Sequence, residues 1–275
     1  MTQIPYIDEH WGVVTGCSGQ GCKCRDNCWA RDMVRRFPWT HDAKGECHSW
    51  EEYTPFSTVQ FHSDRLNKPL HWRKPRRIGV CFTGDIADNQ VPYAWQFNIF
   101  SMVRRCPQHQ FFFLTKQIFN LKDAVANWCH SNPWPANAWS GVSICDQEDA
   151  DTKIPDLLRI PGHKWISVEP MLSAINIDQY LFQQCIVQYD GAGEEDWGYD
   201  VEPRDNGIEF AVIGCESGSK RRPCDQKAMT QLVTDLQDAF VPVWEKQIQN
   251  EKGRVIHDIN LFPEALKVRQ IPRQT

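Results

Sequence analysis

No stretch of the 275-residue chain approaches the roughly eighteen uninterrupted apolar residues that a membrane-spanning helix needs. The opening residues, MTQIPYIDEHWG, are polar and carry no basic leader segment, so no secretory signal is expected. Internal repeats and low-complexity tracts are missing too, and no composition shift marks a boundary, so residues 1–275 read as one domain. Charge of a single sign is also lacking. Lys and Arg total 30 against 35 Asp and Glu, a net charge of −5, which argues against a broad electropositive face and leaves room only for a local basic groove. A hydrophobic content of 41% over this length can bury one substantial core, and 24% charged residues with 12 tryptophans describe a folded chain.

Cysteine is abundant, with 12 in the chain. In a chain of enzyme length without a leader, the expected compartment is a reducing cytoplasm, where clustered cysteines are metal ligands more often than disulfides. Four of them crowd into TGCSGQGCKCRDNCWA: Cys17, Cys22, Cys24 and Cys28, between a short apolar run and a helical one. Four, one and three residues separate them, and Gly16, Gly19 and Gly21 allow a tight loop with backbone amides turned inward. Three thiolates can hold three irons of a four-iron cluster and leave one iron open for chemistry. A structural zinc with all four thiolates is the alternative, although no second paired-cysteine motif accompanies it. Metal-free buried or redox cysteines are a third. The remaining cysteines read mostly as small buried residues.

Short β-branched or aromatic runs recur along the chain: Trp11–Thr15, Arg77–Phe82, Gln110–Leu114, Trp139–Ile144, Lys164–Val168, Phe210–Ile213 and Val241–Trp244. Amphipathic segments at Pro92–Arg105, Ile118–Cys129 and Gln226–Phe240 separate some of them. The alternation predicts an α/β fold, favouring a partial (β/α) barrel of about six to seven parallel strands, with an open doubly wound sheet second. His41–Arg76 reads as an irregular excursion with some helix, including Trp50, Tyr53 and Phe56, and the acidic, glycine-rich Tyr189–Gly207 reads as an inserted surface loop.

In a (β/α) barrel the residues just past each strand converge on one mouth. Here those positions are polar almost throughout: Thr83, Gly84 and Asp85; Thr115, Lys116 and Gln117; Ser143 with Asp146, Gln147 and Glu148; Glu169; Gly214, Cys215 and Glu216; then Glu245, Lys246 and Gln247. Helix capping explains any one of these. Their repetition predicts a polar pocket at one face.

With that mouth paired to a cysteine loop after the first strand, the chain resembles the radical S-adenosylmethionine enzymes, and more narrowly a phage-associated, radical-SAM-like family with a three-cysteine motif. The matching pieces are VTGCS, GC, NCWAR, FTGD with a following VP, LTKQ, WSGVS, ISVEPML, IGCESG with RRP, and VPVWEKQ, from about Val13 to Gln247. The resemblance implies a partial barrel carrying a 4Fe-4S cluster whose open iron binds S-adenosylmethionine. It further implies a 5′-deoxyadenosyl radical that abstracts hydrogen from a substrate, in an isomerase, lyase or transferase. By the same resemblance Cys17, Cys22 and Cys28 are the ligands. The spacing departs from the commonest pattern, Cys24 is surplus and a candidate to replace Cys22, and Asn27 stands where an aromatic is usual, leaving Trp29 to pack beside the adenine. The turn Thr83-Gly84-Asp85 occupies the place of the superfamily's glycine–acid motif, with Asp85 expected on the methionine ammonium. Ser143 and Glu169 are expected at the ribose and carboxylate ends, and Thr115, Lys116, Gly214 and Glu216 complete the expected cofactor site.

A reducing partner such as flavodoxin or ferredoxin is implied, in a host cytoplasm if the gene is phage-borne. Two basic clusters, Trp72-Arg73-Lys74-Pro75-Arg76-Arg77 and Lys220-Arg221-Arg222, would favour a nucleotide or a hypermodified base in DNA as substrate if both stood at one rim; a solvated surface is the blander account. Two other functions compete: a non-catalytic nucleic-acid-binding protein with a structural zinc, and a metal-free hydrolase using Glu169 and Glu216 as an acid–base pair.

Overall fold

The computed structural model describes residues 4–23, 27–36, 38–41, 47–49, 56–189, 196–204, 206–218 and 220–272. Trp50 and Tyr53 lie outside these. The chain opens with β1 (Glu9–Trp11) and β2 (Val14–Thr15), then α1 (Trp29–Arg36), an antiparallel pair β3 (Pro38–His41) and β4 (Cys47–Ser49), and β5 (Gln60–Phe61). A regular alternation follows: β6 (Arg77–Val80), α2 (Tyr93–Arg105), β7 (Gln110–Phe113), α3 (Ile118–Cys129), β8 (Ala138–Ser143), α4 (Gln147–Leu158) and β9 (His163–Val168). After a short α5 (Asp178–Leu181) and the antiparallel β10 (Phe182–Tyr189) and β11 (Asp196–Pro203) come β12 (Phe210–Gly214), α6 (Gln226–Asp238), β13 (Val243–Gln249) and β14 (Val255–Ile256).

The fold is mixed α/β around an eight-stranded sheet of order β1-β6-β7-β8-β9-β12-β13-β14. Every adjacent pair is parallel except β13–β14. The strands succeed one another in chain order without the reversal that defines a doubly wound sheet, so the second architecture expected from the sequence is set aside. Among the described residues no pairing joins β1 to β13 or β14, and the sheet is open along that seam.

Two cores lie on its two faces. The helix-side core joins Ile78, Val80, Phe111, Phe113, Val142, Ile166, Val168, Ala211 and Ile213 to the buried stripes of the helices. In α6 that stripe is Met229, Leu232, Val233 and Leu236, the three-four spacing of an amphipathic helix, and Asp225 caps its start by accepting from the amides of Lys227 and Ala228. Burying four such side chains contributes roughly 6–12 kcal/mol before chain entropy is subtracted. The inner face carries Phe82, Phe112, Trp139, Trp165, Phe210, Val212 and Trp244, with Tyr6 and Ile7 inserted from before β1. The Tyr6 ring lies 6.1 Å from Trp165, 6.2 Å from Phe210 and 6.4 Å from Trp244. In a flat sheet β1 and β13 would stand about 28 Å apart, six strand spacings. The sheet therefore curls around this aromatic plug, which sits toward the amino ends of the strands.

Two expectations from the sequence are corrected. Most of the described part of the stretch expected to be a loop over Tyr189–Gly207 is strand: β11 pairs in register with β10, Asp196 opposite Tyr189 and Pro203 opposite Phe182. The alternation of Trp197, Tyr199 and Val201 with polar and glycine neighbours is a period-two signal that the acidic composition masked. The polar run after β8 is the start of α4. Asp146 is its cap, accepting from the Asp149 amide, and Glu148 and Asp149 occupy its first turn, where the helix dipole favours negative charge.

Candidate active site at the carboxyl ends of the strands

The cysteine loop is fixed at its first residue by backbone. Gly16 pairs in parallel with Gly84, just past β6. The approach demands glycine: a Cβ on Gly84 would stand 2.8 Å from the Gly16 carbonyl oxygen, and one on Gly16 would stand 2.3 Å from that of Thr58. Gly16, Gly19 and Gly21 all have positive φ, which lets the chain coil tightly around Cys17. The Gly19 amide donates to Cys17 Sγ at 3.3 Å, while the Ser18 amide and hydroxyl both donate to Asp88 at 2.7 Å.

Farther along, the loop crosses the other strand ends. Gly21 lies beside the Lys116 carbonyl, past β7. Lys23 reaches the α4 amino terminus, past β8, with Nζ 2.7 Å from Asp146, 2.8 Å from Glu148 and 3.6 Å from Asp149. Desolvation opposes the charge of Lys23, but the three carboxylates together hold its pKa above the ordinary lysine value. Past β12, Arg222 donates to the Lys23 carbonyl at 3.1 Å and Asn27 donates to the Lys220 carbonyl at 3.1 Å. An open depression of about 450 Å³ lies beside the loop, between Gly19, Gly21 and Cys22 on one side and Glu148, Asp149 and Lys153 on the other.

Cys17, Cys22 and Cys28 form no disulfide among the described residues and are all partly exposed; Cys24 lies outside the described residues. Burial first, and Asp85 second, push the Cys17 thiol up to about 12, so it is held protonated until a cation replaces the proton. Among the described residues no three His, Cys, Asp or Glu side chains stand close enough to ligate one metal ion. A cube-shaped cluster takes each thiolate on a separate iron and asks for wider spacing than a single tetrahedral ion does. Three cysteines outside any disulfide, on a glycine loop with an amide donated to one sulfur, are a donor set suited to such a cluster. Elsewhere Cys81, Cys106, Cys145 and Cys215 are buried as expected, whereas Cys129 is exposed.

The other expected site residues are brought to the same end of the sheet, in different roles. Asp85 is buried and already engaged: Thr115 Oγ1 donates to it at 2.6 Å, the Lys116 amide at 2.9 Å and the Ala87 amide at 2.9 Å. Burial raises its pKa and these donors oppose the rise. Asp85 ties the ends of β6 and β7 together beneath the cysteine loop. Thr83 lies in the turn closed by the Gly84 amide on the Cys81 carbonyl. Ser143 is buried, its hydroxyl 3.5 Å from the Glu169 carbonyl oxygen. Glu169 pairs with Lys246 at 2.8 Å, and Gly214 backs onto it. Glu216 receives Arg222 through two side-chain nitrogens, at 2.5 and 2.9 Å, and through the Arg222 amide at 2.7 Å. Burial opposes the Glu216 charge, but Arg222 brings its pKa below the ordinary value. With Glu169 and Glu216 each committed to its own cation, the acid–base hydrolase is left without a free pair. Trp29 opens α1 and is 42% exposed.

Lys23, Asp88 and Asn27 were not foreseen. The legible signal for Lys23 was a cation between two cysteines facing the acidic run at 146–149; Asp88 and Asn27 gave none. Glu245 is fully buried and neither carboxylate oxygen has a hydrogen-bond partner among the described residues; burial, then Glu169, hold its pKa well above the ordinary value.

The basic clusters part company. Arg76 pairs with Glu9, and Arg77 with Asp8 at 2.7 Å, at the amino end of β6, while Lys220–Arg222 lies past the carboxyl end of β12. They share no rim. No described helix is long and apolar enough to cross a membrane.

A family described as "Protein of unknown function (DUF5131)" matches residues 1–259, and the chain belongs to that family. No curated protein and no solved structure matches the chain.

Proposed function

We propose that this member of the DUF5131 family is a radical S-adenosylmethionine enzyme, its curled sheet an open-sided (β/α) barrel and its Cys17, Cys22 and Cys28 the ligands of a 4Fe-4S cluster. The single observation that carries the proposal is the path of the cysteine loop: it crosses the carboxyl ends of β6, β7, β8 and β12, the face where this class of fold gathers its chemistry. When bound, the cluster and S-adenosylmethionine supply reductive sulfonium cleavage and hydrogen abstraction.

The chain's own residues position that chemistry. Gly19 turns an amide toward the Cys17 sulfur, which stabilises negative charge there. Asp88 anchors the loop at its start through Ser18, Asp85 holds the turn that the loop start rests on, and Lys23 and Arg222 anchor the loop farther on. Because three protein donors already occupy Asp85, its role shifts from gripping the methionine ammonium to holding the turn in place. Thr83, Ser143 and the Glu169–Lys246 pair are left to meet the polar ends of S-adenosylmethionine, and exposed Trp29 to cover its adenine. A nucleotide substrate remains compatible with this mouth. An extended DNA track draws no support from basic clusters at opposite strand ends.

Anaerobic reconstitution tests the proposal. The expected product is a brown protein with about four irons per chain that releases 5′-deoxyadenosine from S-adenosylmethionine under dithionite. A colourless protein holding one zinc would favour the structural-zinc alternative.

A further inference from the structure

His10 stands apart from the elements used so far. In β1 its neighbour Trp11 is fully buried in the helix-side core, so strand alternation turns His10 to the concave face. Its ring lies 6.4 Å from Phe82 and makes no hydrogen bond within the described residues. A Cβ placed on Gly12 would stand 3.0 Å from His10 Cε1 and 3.6 Å from Thr83 Oγ1, so imidazole and hydroxyl face one another across a position with no side chain.

The strand alongside adds charge. The His62 amide donates to the Val13 carbonyl at 2.8 Å, and the His62 ring meets Thr15 Oγ1 at 2.8 Å. Arg65, in the 3-10 turn Ser63–Arg65, donates to the Gly12 carbonyl at 3.0 Å. Lys68 begins the next turn. Desolvation, then Arg65 and Lys68, push His10 down to about 4; the same two cations lower His62 after desolvation. Against the cations Arg65 and Lys68 stands Asp64, well exposed and 4.0 Å from Arg65. Glu9 on β1 is taken by Arg76.

We propose that His10, His62, Arg65 and Lys68, with Thr83 opposite, form a recognition corner for a phosphomonoester on a small-molecule substrate. The corner is compact, so it suits one anionic group; a polyanion would need a continued basic track, and the net charge of −5 opposes one. A carboxylate prefers two parallel guanidinium nitrogens, but one Arg65 nitrogen is already on Gly12. The several oxygens of a phosphate can take donors arriving separately from β1, from the 62–68 segment and from the turn at Thr83. The site uses none of the cysteines and shares only Thr83 with the proposed cofactor site, so phosphate binding can be read on protein without iron.

The test is a titration of the full-length, histidine-labelled protein with inorganic phosphate at pH 7, followed by NMR at constant ionic strength set with chloride. Saturable shifts of the His10 signals are expected. Arg65→Gln should weaken binding about tenfold, the usual loss for a charge-assisted hydrogen bond. Exposed Lys68→Gln should weaken it about twofold without changing the melting temperature. Adenosine 5′-monophosphate should compete with phosphate, and a short DNA duplex should bind no tighter per phosphate. Equal shifts with chloride alone, or binding unchanged in both variants, would overturn the corner, and tighter duplex binding would overturn the monoester. The wild-type titration decides even if Arg65→Gln fails to fold.

Discussion

The two ends of the parallel sheet are built from opposite materials. At the amino end Tyr6, Trp165, Phe210 and Trp244 pack ring against ring, and the neighbouring charges are paired off locally, Arg77 with Asp8 and Arg76 with Glu9. At the carboxyl end nearly every strand delivers a polar group, and those groups hold a loop that belongs to none of them: Asp88 on Ser18, Asp146 on Lys23, Arg222 on the Lys23 carbonyl. One end fills the concave face of the sheet by hydrophobic packing. The other keeps a network of buried and half-buried charges whose members hold one another in place, an arrangement that contributes little net stability and much positional order. The division separates what keeps the sheet curled from what positions the cysteines.

That separation can be broken experimentally. The largest expected effect is at the carboxyl end: Cys17→Ala should abolish iron retention while leaving the circular dichroism spectrum unchanged, and full iron loading of this variant would break the assignment. Tyr6→Ala should do the reverse, costing about 3–5 kcal/mol in denaturant unfolding yet still accepting iron below its melting point. A Tyr6→Ala protein that is stable but cannot be loaded would show the two ends to be coupled. Asp85→Ala strands a hydroxyl and two amides at the junction of β6 and β7 and should cost roughly 3 kcal/mol. It should also speed iron loss, because the loop start rests on that turn.

The smallest effect is a pH dependence. Glu216 has a folded pKa below its ordinary 4.5, so its contribution is complete above 4.5 and disappears as pH falls through the lower folded value. The stability gap between wild type and Glu216→Gln should therefore narrow on acidification below about 4.5, measured as melting temperatures across pH. A gap that widens there would contradict the Arg222 pairing.

Much of the sheet was legible because its strands are buried on both faces and read as apolar runs: RIGV, QFFF and FAVI fall within β6, β7 and β12. Ile118–Cys129 was legible as a helix to the residue. The acidic helix α4 was not, since Asp146, Glu148 and Asp149 looked like strand-end polarity and Pro155 interrupts the pattern. The strand–helix alternation led to the expectation of a curled sheet, but the Tyr6 contacts that hold the curl were hidden because they join residues distant in sequence. At the site, the positions were legible and the partners were not. Asp85 was found by its motif, but only contacts across the fold reveal that Thr115, Lys116 and Ala87 already occupy it.

The most direct measurement of the central claim is iron-edge anomalous diffraction from anaerobically crystallised, reconstituted protein. The account predicts an anomalous peak over the carboxyl ends of β6 to β12, within bonding distance of the sulfurs of Cys17, Cys22 and Cys28. A peak absent from that mouth, or a single tetrahedral ion that recruits Cys24 as a fourth ligand, would contradict it.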